Sequence, residues 1–125
     1  MKQQKRSTVP TSPFIAIIEQ HAEEAAFLWL LHSQALQAPN QDFTLVAQLE
    51  KRINAHLKGL IMAGDDGWNC CAHALKTYGE AGEVFAAAML ALHDSNQARL
   101  ETVRQAVEAA PQTAHALNSA RGWLR

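Results

Sequence analysis

The longest uncharged apolar run of the chain lies near its middle, over Val84–Leu92. It contains no hydroxyl group, and its alanine, leucine and methionine residues favour helix over strand. A helix that is apolar on every side has to be covered on every side. As a helix the run is less than about 20 Å long, whereas a bilayer core needs about 20 apolar residues. The run therefore predicts a central helix inside a globular core.

Amphipathic segments flank this run on both sides, with apolar residues recurring three and four positions apart. Ser12-Pro13 has the form of an N-cap followed by a first-turn proline, and Gly64 and Pro111 are typical of a helix end and a helix start. The predicted helices run from Pro13 to about Gln37, from about Thr44 to about Met62, through Trp68 to Tyr78, from about Glu80 to His93, from a cap among residues 94–96 to about Ala110, and from Pro111 onward.

The first predicted helix has one broad apolar face, made by Phe14, Ile15, Ile18, Ala22, Ala25, Leu28 and Trp29. Phe27 and Leu30 fall instead on the polar side, among glutamate and glutamine residues. Apolar residues on two sides of one helix indicate contacts from two directions. We therefore expect something to cover Phe27 and Leu30.

The domain organisation follows from these helices. Residues 1–11 are polar and predict a disordered tail, and residues 12–125 predict a single all-helical domain of about six helices. The last four helices begin about 15–16 residues apart, so a helix pair repeats about every 31 residues. This spacing predicts a HEAT-like α-solenoid, with a closed helical bundle as the alternative.

The end of the sequence bears on the same choice. A solenoid closes with a polar face, whereas this chain ends with the large apolar residues Trp123 and Leu124. We expect these two residues to contact a partner, either another protein or a second copy. The same observation predicts that the chain is the N-terminal part of a longer repeat protein.

Composition narrows the possible functions. The chain has 125 residues, a formal net charge of −1 and 48% hydrophobic residues. No basic excess indicates nucleic acid or an anionic membrane surface as a partner. No signal peptide or membrane span is evident, so the expected location is the cytoplasm. Adjacent cysteines on one helix are poor disulfide partners, which argues against a secreted disulfide scaffold.

Three histidine-containing or acidic groups are candidates for chemistry. His21 lies within the apolar arc of the first helix, Glu24 lies at its edge, and His56 lies at the margin of the second helix's apolar stripe. These three could form a metal site or a general base between the helices. The alternative, which we favour at this point, is a hydrogen-bonded cluster that fixes helix packing.

The other two groups carry weaker signals. Cys70 and His73 share a helix face at a spacing that suits two ligands of one metal ion, but no second pair completes a tetrahedral zinc site. Cys71 falls beside apolar residues, where a free cysteine packs as a small hydrophobe. The acidic residues of the 64–68 segment lack the twelve-residue calcium pattern and suit a helix N-terminus. We therefore expect no bound metal and no cofactor.

Five phrases occur together in this chain. They are HAEEAAFLW at 21–29, AHLKGL at 55–60, AGDDGW at 63–68, GEVFAAA at 82–88 and RGWL at 121–124. In this order they resemble the N-terminal region of an uncharacterised bacterial family of HEAT-repeat-like proteins, whose genes often lie beside type VI secretion components. The resemblance covers about residues 14–125 and implies an α-solenoid with a protein-interaction role. It implies no catalytic residues, and members of that family are typically much longer.

The sequence therefore predicts a non-enzymatic protein-interaction module, acting as an adaptor, chaperone or accessory factor in a type VI secretion context. Two alternatives remain open. One is a small metal-dependent or acid–base enzyme using His21, Glu24 and His56. The other is an immunity-type protein that binds a toxic effector.

Overall fold

The computed structural model describes residues 12–123. Over this range the chain is all-α, with no strand. Its helices are α1 (Pro13–Gln37), α2 (Phe43–Met62), α3 (Asp65–Thr77), α4 (Ala81–His93), α5 (Gln97–Ala109) and α6 (Ala114–Trp123). This confirms the prediction of a six-helix all-α module. The predicted tail over residues 1–11 and the contact residue Leu124 lie outside the described range.

Local hydrogen bonds fix where the helices begin. The side chains of Ser12, Asp42 and Asn96 each accept a hydrogen bond from the backbone N–H three residues later, at 3.0–3.1 Å. Glu80 and Glu83 form a capping box at the start of α4, in which the Glu83 carboxylate accepts the Glu80 N–H. Each cap satisfies a donor that the helix leaves unpaired, so these starts are encoded by neighbouring residues.

The central position of α4 is confirmed. Residues 84–91 are all buried, Leu92 is half-buried, and α4 contacts each of the other five α-helices. Phe85 is fully buried; its ring stacks on Trp29 with centroids 5.4 Å apart and meets the edge of Trp123 at 5.1 Å. The core of the described chain is therefore built around α4.

One glycine allows α1 and α4 to come close. Gly82 is buried in the first turn of α4, and a Cβ placed there would lie 2.5 Å from the backbone oxygen of Ala26 on α1. Backbone atoms cannot swing aside as side chains can. The absence of a side chain at Gly82 therefore sets the distance between the two helices.

Two details differ from the sequence-based expectations. The sequence pattern places Phe14 on the apolar face of α1, but this residue is 58% exposed, because it lies in the first turn of the helix, where no described residue covers it. Pro111 opens a 3₁₀ turn over residues 111–113, and α6 begins only at Ala114. The reason is that the N–H and the hydroxyl of Thr113 both bond to the oxygen of Ala110, which tightens this turn.

Within residues 12–123, no helix combines the length and the apolar character needed to cross a membrane.

Candidate functional site

The two histidines singled out in the sequence meet between α1 and α2. The Nδ1 atom of His21 lies 3.0 Å from the Nδ1 atom of His56, and the ring centroids are 5.2 Å apart with planes tilted by 54°. Further along the same interface, His32 of α1 contacts Glu50 of α2, so the two helices run antiparallel. Both rings of the His21–His56 pair are half-buried. Their position leaves the pair within reach of solvent.

The distance between the two nitrogens fixes the protonation pattern of the neutral pair. One Nδ1 must donate its proton and the other must accept it, since two donors or two acceptors would repel. Burial lowers the pKa of His56, and the neighbouring His21 lowers it further. The carboxylate of Glu24 acts in the opposite direction, while Arg52 adds to the lowering. Burial and the neighbouring charges therefore favour the neutral form of His56.

Gly59 makes room for this arrangement. A Cβ at Gly59 would lie 2.7 Å from Cδ2 and 2.8 Å from Nε2 of His21. Glycine inside a helix costs about 1 kcal/mol relative to alanine, and here the space it leaves is filled by an imidazole. Sequence reasoning missed this role, although a glycine in the middle of an amphipathic helix is the signal that could have revealed it.

Glu24 stands apart from the two rings. It is half-buried on α1, three residues from His21. Among the described residues no hydrogen bond joins its carboxylate to either imidazole; its influence on His56 is electrostatic. The structure thus brings together His21 and His56 directly and adds Glu24 as a nearby negative charge.

A second polar group lies between α1, α2 and α6. His32 is 4% exposed, and its Nε2 lies 2.9 Å from Oε2 of Glu50. His32 is therefore buried on the face of α1 that meets α2, while the Glu50 side chain is 47% exposed. Next to this pair an open cleft of about 390 Å³ is lined by His32, Leu36, Glu50, Asn54, Ser119, Gly122 and Trp123.

Trp123, a predicted partner contact, lies on one wall of this cleft. Its indole N–H donates to Oδ1 of Asn54 at 2.8 Å, and its ring contacts His32 and Phe85 at centroid distances of 5.0 and 5.1 Å. The side chain is half-buried. Much of the indole is therefore used within the fold, and only its remaining surface faces the cleft.

The cysteine-containing face of α3 is poorly suited to metal. Burial raises the pKa of the Cys71 thiol to about 12, and burial together with Glu19 and Asp66 raises that of Cys70. A metal-binding cysteine is a thiolate and needs the opposite shift. His73 is exposed. Within residues 12–123 no group of three or more histidine, cysteine, aspartate or glutamate side chains is placed to hold a metal ion.

The acidic first turn of α3 has a structural partner. Oδ1 of Asp65 accepts a hydrogen bond from Arg99 at 2.8 Å, and the Arg99 guanidinium lies 5.2 Å from the ring centroid of Trp68. Gly64 takes a positive φ of 63° immediately before the helix. This segment thus starts α3 and ties it to α5.

The outer face of α1 is left open. Glu23, Phe27, Leu30 and Gln34 follow one another at three- or four-residue spacing and are all exposed. Phe27 is 55% exposed and Leu30 is 37% exposed. The second set of contacts expected for Phe27 and Leu30 is therefore not supplied by the described residues.

Comparison of the chain with protein-family models, with curated proteins and with solved structures finds no match.

Proposed function

We propose that this chain is a protein-interaction module that binds a protein partner, or a second copy of itself, through the outer face of α1. In this proposal the chain acts in the cytoplasm, as an adaptor, chaperone or accessory factor of type VI secretion. The observation that carries the proposal is the exposure of Phe27 and Leu30, one turn apart on a helix of 25 residues. Two large apolar side chains on one rigid helix form a small preorganised contact surface.

The energetics suit a modest and reversible complex. Full burial of a leucine or phenylalanine side chain contributes about 1.5–3 kcal/mol, and both side chains are already partly covered. Association has to offset several kcal/mol of lost translational and rotational freedom. Burial of Phe27 and Leu30 alone therefore does not offset the cost of association, and the partner has to make further contacts with the polar neighbours, such as Glu23 and Gln34. The polar neighbours fit the rim of an interface.

The test compares two variants with the wild-type chain. Phe27→Gln/Leu30→Gln removes both anchors and keeps good helix formers, and Met62→Gln is the matched control, since Met62 is 76% exposed at the end of α2. Sedimentation at increasing concentration measures self-association, and affinity capture from a bacterial lysate identifies a partner. Wild type and Met62→Gln should give the same complex, and the double variant should lose it.

A double variant that associates like wild type contradicts the proposal, as does a wild-type chain that forms no complex in either assay. A single tightly bound toxin among the captured proteins would identify the partner class as a toxic effector and the module as immunity-type.

A further inference from the structure

The imidazole pair between α1 and α2 has the composition of a partial metal site. We propose that His21 and His56 together bind one divalent transition-metal ion through their Nδ1 atoms, with water completing its coordination. The inference is independent of the interaction surface on α1. It rests on the distance between the two nitrogens, on the partial exposure of both histidines, and on the space that Gly59 leaves for one ring.

The distance restricts which ions fit. With each nitrogen about 2.1 Å from a common ion, the 3.0 Å separation corresponds to an N–metal–N angle of about 91°. Such an angle suits neighbouring ligands in square-planar or octahedral geometry, and a tetrahedral ion needs a wider one. Cu²⁺ and Ni²⁺ accept imidazole in these geometries. The pair therefore fits Cu²⁺ or Ni²⁺ better than tetrahedral Zn²⁺.

A metal ion can replace the hydrogen bond between the two Nδ1 atoms without any net loss of protons from the pair. In the neutral pair one ring carries its proton on Nδ1 and the other carries it on Nε2. Binding of an ion between the two Nδ1 atoms requires the first ring to move its proton to Nε2, and no proton leaves the pair. A shared ion also requires each ring to turn about its Cβ–Cγ bond until its Nδ1 lone pair faces the ion. Since both rings are half-buried, neither is locked on all sides by the core.

The surrounding charges are mixed. Glu24 favours a positive charge at His56 and Arg52 disfavours it, as their opposite effects on the pKa of His56 indicate. The protein supplies two nitrogens and no third ligand within residues 12–123. The site is therefore weaker than a closed structural zinc site and keeps positions open for water or a substrate group.

Gly59 gives the proposal an internal control. Alanine at this position would place a Cβ 2.7 Å from the His21 ring and displace it, while both ligands remain in the chain. If the two imidazoles act together, Gly59→Ala should weaken metal binding. If His56 binds the ion alone, Gly59→Ala should leave binding unchanged.

The experiment is a calorimetric titration of the tag-free chain with Ni²⁺, and a Cu²⁺ electron paramagnetic resonance spectrum as a second readout. Wild type should bind one ion per chain, and the Cu²⁺ spectrum should show hyperfine coupling to two nitrogens. His56→Asn, which keeps a hydrogen-bonding side chain, should weaken Ni²⁺ binding at least tenfold. His93→Ala is the matched control, because His93 is an exposed histidine bonded to its neighbour Asp94, and it should bind as wild type does.

Circular dichroism spectra and thermal unfolding without metal show whether each variant is folded, and Ni²⁺ should raise the melting temperature of wild type but not of His56→Asn. The proposal is overturned if wild type binds Ni²⁺ no better than His56→Asn. It is equally overturned if the loss of His93 removes the binding, or if the Cu²⁺ spectrum shows a single nitrogen.

Discussion

The close approach of α1 and α4 makes a specific prediction at Gly82. An added Cβ would lie 2.5 Å from the Ala26 oxygen, whereas carbon–oxygen contacts lie at about 3.3 Å or more. Replacement of Gly82 by alanine therefore forces the two helices apart by roughly 0.8 Å at this point. Overpacking of this kind costs about 1–3 kcal/mol, and the higher helix propensity of alanine returns up to about 1 kcal/mol. We expect a net loss of about 1–2 kcal/mol in the free energy of unfolding.

Urea unfolding followed by the helical circular dichroism signal measures this loss as a lower midpoint at an unchanged slope. Ala98→Gly is the matched control. Ala98 is the second residue of α5, as Gly82 is of α4, and it is exposed. The control isolates the propensity effect and should lose up to about 1 kcal/mol. If Gly82→Ala instead raises the free energy of unfolding by about as much as Ala98→Gly lowers it, only helix propensity matters at residue 82. The close approach of α1 and α4 would then not constrain this position.

Three further predictions follow from the core and from the titrating groups. Phe85→Ala should lower the free energy of unfolding by about 3–5 kcal/mol, because the ring is fully buried against two tryptophans; a loss below about 1 kcal/mol in urea unfolding would contradict its central place. With a chelator present, the contribution of His56 to the free energy of unfolding should be complete above the ordinary pKa of this residue, 6.5, and should fall as the pH drops below it, because folding lowers that pKa. The variant His56→Asn should show a smaller loss of stability over this pH range. Equal pH profiles for the wild type and the variant would refute this cause. Alkylation of the folded chain at about pH 8, followed by mass spectrometry, should leave Cys71 unmodified and modify Cys70 only slowly. Burial raises the pKa of both thiols and takes that of Cys71 to about 12. Rapid labelling of Cys71 in the folded chain would contradict its burial.

Features encoded by neighbouring residues were predictable from the sequence. The start of α1 at Ser12-Pro13 is confirmed. The cap of α5, predicted among residues 94–96, is Asn96. Both could be predicted because a capping side chain acts within three residues. The uninterrupted apolar run predicted a buried α4 for a similar reason. Such a run has no face that could point to water.

Features that depend on distant residues were harder to predict. The helical projection placed His21 and His56 towards a shared interface, but the contact between their Nδ1 atoms depends on the register of α1 against α2. That register is set by packing along both helices and by the space at Gly59. The pairing of His32 with Glu50 was missed because Glu50 lies at the edge of the α2 stripe, where a projection cannot tell solvent from a neighbouring helix.

The choice between a HEAT-like solenoid and a closed bundle stays a prediction. In the described chain, α4 contacts all five other α-helices, and the antiparallel pairing of α1 with α2 occurs in both architectures.

The central claim is that α4 is the enclosed helix around which the others pack, since the position of α1 and of its imidazole pair depends on it. Native-state hydrogen exchange tests this claim residue by residue. We predict that the backbone amides of residues 85–91 exchange most slowly, at rates set by global unfolding. Exchange there that is as fast as in the half-exposed α5 would contradict it.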